Sequence, residues 1–347
     1  MIKNININNF TVFKNTNIDF SPKINIIIGE NGTGKSHLLK LLYALNLSDG
    51  NVSESEAEKT ISNNLLKLFL PIDNSLWKLK STNSSGQSEI KVQYSNDDEM
   101  HFDFNINSKS IRMLNYNSNH TFPKSIFIPP KEVLSFMKGF NSLYEKYDLS
   151  FDQSYNDICM SLNLPEVRDD KLQEKVKWAI KEIENICGGK FIFYGGGKVT
   201  FKSNDTEYSI NAMAEGFRKI GMLSRLLETG VIQPGESGAL LWDEPEANIN
   251  PKLLRFIVET LLKLSRNGQQ VILATHNYIL LKWFNSLINT NMEDHILYHF
   301  LYVDKETKEV KIKSTDNYLE ITQNPISDTF GDILDYDIEK EMGDLGK

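Results

Sequence analysis

The sequence predicts an α/β fold: a buried parallel sheet, a flanking antiparallel β sheet and a short inserted helical lobe. Three observations carry this. The apolar run "INIIIG" at 24–29 passes without a break into "ENGTGKS" and then into leucines at helical spacing, "HLLKLLYAL", which is the order strand, glycine-rich turn, helix. The stretches 2–20 and 89–117 alternate apolar and polar residues, as half-exposed strands do. Two further apolar runs, "GALLW" and "VILAT", end in polar residues, which places polar side chains at the carboxyl edge of a parallel sheet.

Length and composition set the frame. At 347 residues the chain exceeds the usual size of one core, so one large domain carrying an insertion is expected. Its parts are an N-terminal section at 1–130, a helical insertion at 131–190 and a C-terminal section at 191–347. Hydrophobic content of 40% is ample for burial. No 18-residue apolar run occurs, and "MIKNININNF" is polar at every second or third position, which speaks against a signal peptide or membrane span and for a cytoplasmic protein. Cys159 and Cys187 lack the paired spacing of a zinc or redox motif. The formal net charge of −8 argues against a broadly basic surface for nucleic acid. A local basic patch stays open.

In chain order, residues 2–20 read as two half-exposed strands before the buried one, and 48–60 as a polar loop or frayed helix end. "NLLKLFLPIDNSLWKL" is an apolar segment broken at Pro71, and "STNSSGQSE" a linker-like turn. Residues 89–117 form strands with "SNDDE" as a hairpin tip, and "SIFIPP" is a short strand stopped by two prolines. The pattern from Lys131 to Ile186 is helical, with Val176, Ile180 and Ile183 on one face. It is too short for a coiled-coil arm. "KFIFYGGGKVTF" reads as a hairpin whose Gly195–Gly197 make a turn, since no helix follows them.

The chemistry begins at Gly29, four residues, Gly34, Lys35, Ser36, the full phosphate-loop (P-loop) spacing of an NTPase. Glycines let successive backbone N–H groups turn toward an anion, and the helix N-terminus adds its unsatisfied donors. The segment Glu30, Asn31, Gly32, Thr33, Gly34, Lys35, Ser36 and His37 is thus the expected ATP cradle. Lys35 would reach the β- and γ-phosphates and the Ser36 hydroxyl would sit on Mg²⁺. "GALLWDEPE" ends a strand in Asp243 and Glu244. Asp243 suits Mg²⁺, and Glu244 suits the orientation and deprotonation of an attacking water. His276, after "VILAT", would face the γ-phosphate or that water.

"GENGTGKS", "LLWDEPEANINP" and "LATHN" together resemble the ATP-binding-cassette (ABC) ATPases, and the opening "IKNININNFTVFKNTNIDFSPKINIIIGENGTGKS" is similar to their SMC and RecF-like branch. The resemblance covers the N-terminal 36 residues and the stretch from Ala212 to Asn277. It implies an ABC-ATPase head with Glu244 as catalytic glutamate, Ala247 to Asn250 as D-loop and His276 as switch histidine. It also implies a homodimer in which each head completes the other's site through a signature segment. Here that segment reads "NAMAEGFRKIGMLSRLL", with Ala214 in place of the usual serine, Glu215 in place of a glycine, then Gly216 and Arg218. The family's Q-loop glutamine is not evident; Lys131 and Glu132 occupy its neighbourhood.

With this altered signature the chain looks most like the stand-alone ATPases of bacterial anti-phage systems of the Septu, PARIS and overcoming-lysogenization-defect types. That implies an ATP-driven dimer controlling a separate effector, a nuclease or toxin. The rival expectations are a RecF-like ATPase that clamps DNA and an ATP-locked scaffold with little turnover. The acidic tail "DTFGDILDYDIEKEMGDLGK" is expected to be a solvated face or docking segment, with a metal site at Asp332, Asp335 and Asp337 as the weaker alternative.

Overall fold

The computed structural model describes residues 1–47, 52–82, 86–117, 123–147, 149–168, 174–320, 331, 333 and 335–340. The chain opens with the hairpin β1 (Ile2–Phe10) and β2 (Phe13–Asp19), followed by β3 (Ile24–Gly29), all six residues of which are buried. After the phosphate loop come α1 (Lys35–Ala44) and α2 (Glu54–Phe69). Three strands follow, β4 (Ser88–Tyr94), β5 (Glu99–Phe104) and β6 (Arg112–Tyr116), then the short β7 (Ile126–Ile128). The inserted stretch holds α3 (Phe140–Lys146), α4 (Gln153–Leu162) and α5 (Glu174–Cys187). Beyond it lie β8 (Lys190–Tyr194), β9 (Lys198–Ser203), β10 (Thr206–Ser209) and α6 (Glu215–Glu228). The remainder is β11 (Leu240–Asp243), α7 (Pro251–Arg266), β12 (Val271–Thr275), α8 (Tyr278–Leu287), β13 (Ile296–Val303) and β14 (Val310–Thr315).

These strands form three sheets. A six-stranded sheet runs β14-β13-β3-β12-β11-β7, parallel throughout except for β14. An antiparallel sheet runs β2-β1-β4-β5-β6, and a small one runs β10-β9-β8. Side-chain alternation along the parallel strands divides the interior in two. Ile24, Ile26 and Ile28 of β3 join Leu240, Trp242, Val271 and Leu273 in a core shared with α6, α7 and α8. Ile27, Leu241, Ile272 and Ala274 point the other way, into a core with the leucines of α1 and the antiparallel sheet. The Gln270 side chain bridges the layers: its carbonyl accepts from Ile2 N at 2.9 Å and its amide donates to Ile2 O at 2.7 Å and Ser21 O at 2.9 Å.

One expected element changes. The polar stretch 54–60, expected as loop or frayed end, is the first part of α2. Ser53 and Glu56 form a capping box, the acids Glu54 and Glu56 sit at the positive end of the helix, and Ala57, Ile61 and Leu65 bury one stripe. The hairpins expected at 2–20, at "SNDDE" and at Gly195–Gly197 are all present. Cys159 and Cys187 are free, buried thiols, each pushed up to about 12 by burial. In the tail, Asp332 lies outside the described residues, Asp335 and Asp337 are exposed, and no metal-binding cluster occurs among the described residues.

Candidate functional site

The register of the parallel sheet gathers three strand ends. Asp243 of β11 stands level with Ala274 of β12, which stands level with Ile27 of β3. The phosphate loop after β3, the acids after β11 and the histidine after β12 therefore open on one edge, where α/β folds bind ligands.

The loop is shaped around missing side chains. Gly34 caps α1 in the left-handed region at φ 93°, and a Cβ there would stand 2.5 Å from Val12 Cγ2 and 3.0 Å from Phe13 Cζ. The β1–β2 hairpin tip thus lies directly under the loop. Thr33 donates through Oγ1 to Glu30 O at 2.8 Å, and Lys35 Nζ donates to Gly29 O at 2.8 Å and Glu30 O at 3.0 Å. Burial pushes the Lys35 ammonium down, against the pull of Glu244, Asp243 and Glu246. An open cleft of about 190 Å³ is lined by Asn31, Gly32, Gly34, Lys35, Ser36, His37 and Glu244. His37 packs its ring edge-on against Phe69. A larger hollow of about 540 Å³ beside β7, lined by Tyr43, Asn46 and Asp157 among others, lies away from the loop.

Across the cleft, Asp243 is 2% exposed, and burial pushes its carboxyl up to about 6, opposed by the hydroxyl of Ser36. Its Oδ1 is buried with no hydrogen-bond partner among the described residues. A buried, unpaired carboxylate oxygen beside a serine hydroxyl fits a hard cation such as Mg²⁺. Glu244 follows at φ 47°, with its N–H donating to Ala274 O at 2.9 Å. Its Oε1 is 3.5 Å from His276 Nδ1, and both side chains are partly exposed. The expected pair is brought together.

The signature segment packs within its own chain. Ala214 is the N-cap of α6 and makes no side-chain cap, so donors of the first turn lack side-chain partners among the described residues. Glu215 accepts from Asn248 Nδ2 at 2.7 Å, and a Cβ on Gly216 would stand 3.1 Å from Asn248 O. Arg218 turns inward. Its Nε donates to Glu132 Oε1 at 2.9 Å and its other nitrogens include one donating to Met213 O at 2.5 Å. Glu132, from the expected Q-loop neighbourhood, is buried by this pairing, while Lys131 is exposed.

Two residues of the site make contacts that sequence reasoning did not assign. Lys219 is 1% exposed, its Nζ donating to Pro130 O at 2.9 Å and Glu244 O at 2.5 Å, and burial pushes it down to about 8. It ties α6 to the backbone of Glu244. Glu246 is also buried and accepts through Oε1 from Thr275 Oγ1 at 2.7 Å and His276 N at 3.3 Å. A usable signal existed for Lys219: the apolar pattern of "FRKIGMLSRLL" leaves almost no solvent-facing position beside it.

Comparison with known proteins agrees with this architecture. Residues 24–282 match the family described as "AAA domain, putative AbiEii toxin, Type IV TA system". An "ATP/GTP phosphatase" of Helicobacter pylori is 56% identical over 45 residues, 13% of this chain and 12% of that protein. The DNA replication and repair protein RecF of Streptococcus agalactiae is 37% identical over 57 residues, 16% of this chain and 15% of that protein. Both matches thus span a small fraction of the relatives' length. Among solved structures, the SMC head domain from Thermotoga maritima aligns over 91% of this chain and 99% of its own, with TM-score 0.51 and 13% identity. An SMC head bound to the C-winged helix domain of ScpA aligns over 92% and 98%, with TM-score 0.55 and 13% identity. These likenesses show the fold, that of an SMC head domain.

Proposed function

The chain belongs to this AAA-domain family, an SMC/RecF-like ABC-type ATPase, and from that premise we propose that it hydrolyses ATP as a homodimeric switch. The state of the switch would control a separately encoded effector, a nuclease or toxin, in bacterial anti-phage defence. One observation carries the hydrolytic reading: the phosphate loop and Glu244 line one cleft, with the buried, unpaired Asp243 Oδ1 on the neighbouring strand end and His276 Nδ1 3.5 Å from Glu244 Oε1.

In this reading the loop amides from Glu30 to His37 hold the phosphates, and Lys35 turns its ammonium from the Gly29 and Glu30 carbonyls to the β- and γ-phosphates. Ser36 and Asp243 would hold Mg²⁺, which when bound neutralises charge on the phosphate oxygens. Glu244 orients the attacking water and takes its proton. His276, beside Glu244, holds the water or the γ-phosphate from the far side. Arg218 is engaged by Glu132 in its own chain, so a dimer contact made by α6 would rest on the first-turn N–H groups from Ala214, Glu215 and Gly216.

Phosphate release by the wild type and Glu244→Gln, with Mg²⁺, tests this. The variant should lose at least about 100-fold in turnover while still binding ATP. A wild type that binds ATP without releasing phosphate would refute hydrolysis and favour a nucleotide-locked scaffold. Isolation of the chain from its host with a bound nuclease or toxin would support the defence role.

The similarity to RecF over 57 residues supports a second reading, an ATPase that clamps DNA. It requires duplex binding that weakens steeply between about 50 and 200 mM salt. The net charge of −8 weighs against it.

A further inference from the structure

His276 stands before two carboxylates, and only one of them belongs to the cleft. Its Nδ1 is 3.5 Å from Glu244 Oε1 and 3.9 Å from Glu246 Oε1. The Glu244 side chain is 32% exposed, the Glu246 side chain 4%. The histidine itself is half exposed and stands between a carboxylate that lines the cleft and one that is buried.

Glu246 is also built into the backbone that carries the histidine. Its Oε1 accepts from the Thr275 hydroxyl and from His276 N, while Thr275 Oγ1 accepts from Asn277 N at 3.0 Å. Asn277 then caps α8 through Leu280 N at 2.9 Å. One carboxylate oxygen thus orders the passage from β12 to α8. Its other oxygen, Oε2, is buried with no hydrogen-bond partner among the described residues.

A purely structural role would not call for a carboxylate. A glutamine would accept the same two hydrogen bonds through its carbonyl, with no cost of burying a charge. Keeping an acid here, with an oxygen left over, has a use if its charge acts on a neighbour. The other charged groups around it are Glu244 on the same loop, Asp243 on β11, Lys35 on α1 and Lys219 on α6; both lysines sense the Glu246 charge. His276 is the group that Glu246 shares with the hydrolytic cleft.

We propose that Glu246 is a positioning residue for His276. With Glu244 it flanks Nδ1 and keeps the proton on that nitrogen, leaving Nε2 as the nitrogen free for a partner in the cleft. The inference deepens the ATPase reading and draws its functional meaning from it.

The test is nitrogen-15 NMR of the imidazoles in the full, ATP-free chain, with the His276 signals assigned by His276→Gln. In the wild type the neutral form of His276 carries its proton on Nδ1. In Glu246→Gln, which keeps the accepting carbonyl, the proton shifts toward Nε2. Thermal melting of the variant monitors the fold. A wild type with its proton on Nε2, or an unchanged tautomer in a folded Glu246→Gln, overturns the inference. Absent ATP turnover would sink the ATPase reading without moving this result, because the measurement involves no turnover.

Discussion

Replacing Asp243 by asparagine should make the ATP-free protein more stable. The wild-type carboxyl is lifted from its ordinary 3.8 to about 6 by burial, and one oxygen has no partner among the described residues. The folded state therefore holds this proton more tightly than the unfolded state. Its stabilising share is complete below pH 3.8 and is lost as pH rises through 6. A span of roughly two pH units, at about 1.4 kcal/mol each, makes the ionised group cost about 3 kcal/mol at neutral pH. Asparagine carries no such cost, so Asp243→Asn should gain 1 to about 3 kcal/mol at pH 7.5, a rise of several degrees in Tm. The gain should shrink toward zero near pH 4, where the wild-type group is protonated. Added Mg²⁺ and ATP should stabilise the wild type much more than the variant. Thermal melts at pH 4 and 7.5, with and without Mg-ATP, read all of this. A variant no more stable at pH 7.5, or one whose gain persists unchanged at pH 4, refutes the reasoning.

Other substitutions follow from the same geometry. Gly34→Ala forces a side chain into the left-handed region and against Val12 and Phe13, so urea unfolding should show a loss of about 2–4 kcal/mol. Ala214→Ser supplies the missing cap of α6 and should gain about 0.5–1 kcal/mol in the same assay. Lys219→Met frees the Glu244 carbonyl, and steady-state kinetics should show kcat falling by about ten- to a hundredfold with KM little changed. Because burial pushes Lys219 down to about 8, the unfolded chain binds the extra proton above that pH. Wild-type stability should accordingly gain a rising contribution from about pH 8 to 10.5, absent in Lys219→Met.

What the sequence disclosed was local. "GENGTGKS" lies within one strand–loop–helix unit, and Asp243, Glu244 and His276 each follow an apolar strand, so residue order alone places them on one sheet edge. The contacts that escaped it are made across the fold. Lys219 and Glu244 are brought together by packing of α6 against the strand ends, and Glu246 and Thr275 by the pairing of β11 with β12. Arg218 was expected in the signature segment that reaches the partner head, but its guanidinium pairs with the buried Glu132 of its own chain. The start of α2 was obscured by its polarity, since a capping box at Ser53 and Glu56 marks a helix with residues that also mark loops.

The hairpin tip beneath Gly34 leaves no play between two parts of the molecule. Val12 and Phe13 fill the space a methyl group would need, so the phosphate loop cannot sink toward the antiparallel sheet when it closes on an anion. Recoil has to pass into β1 and β2, and Gln270 couples the far end of that hairpin back to β12. The five-stranded sheet thus touches the nucleotide loop at one edge, through β1 and β2, and fluorescence from a probe at its other edge strand, β6, should register ATP binding.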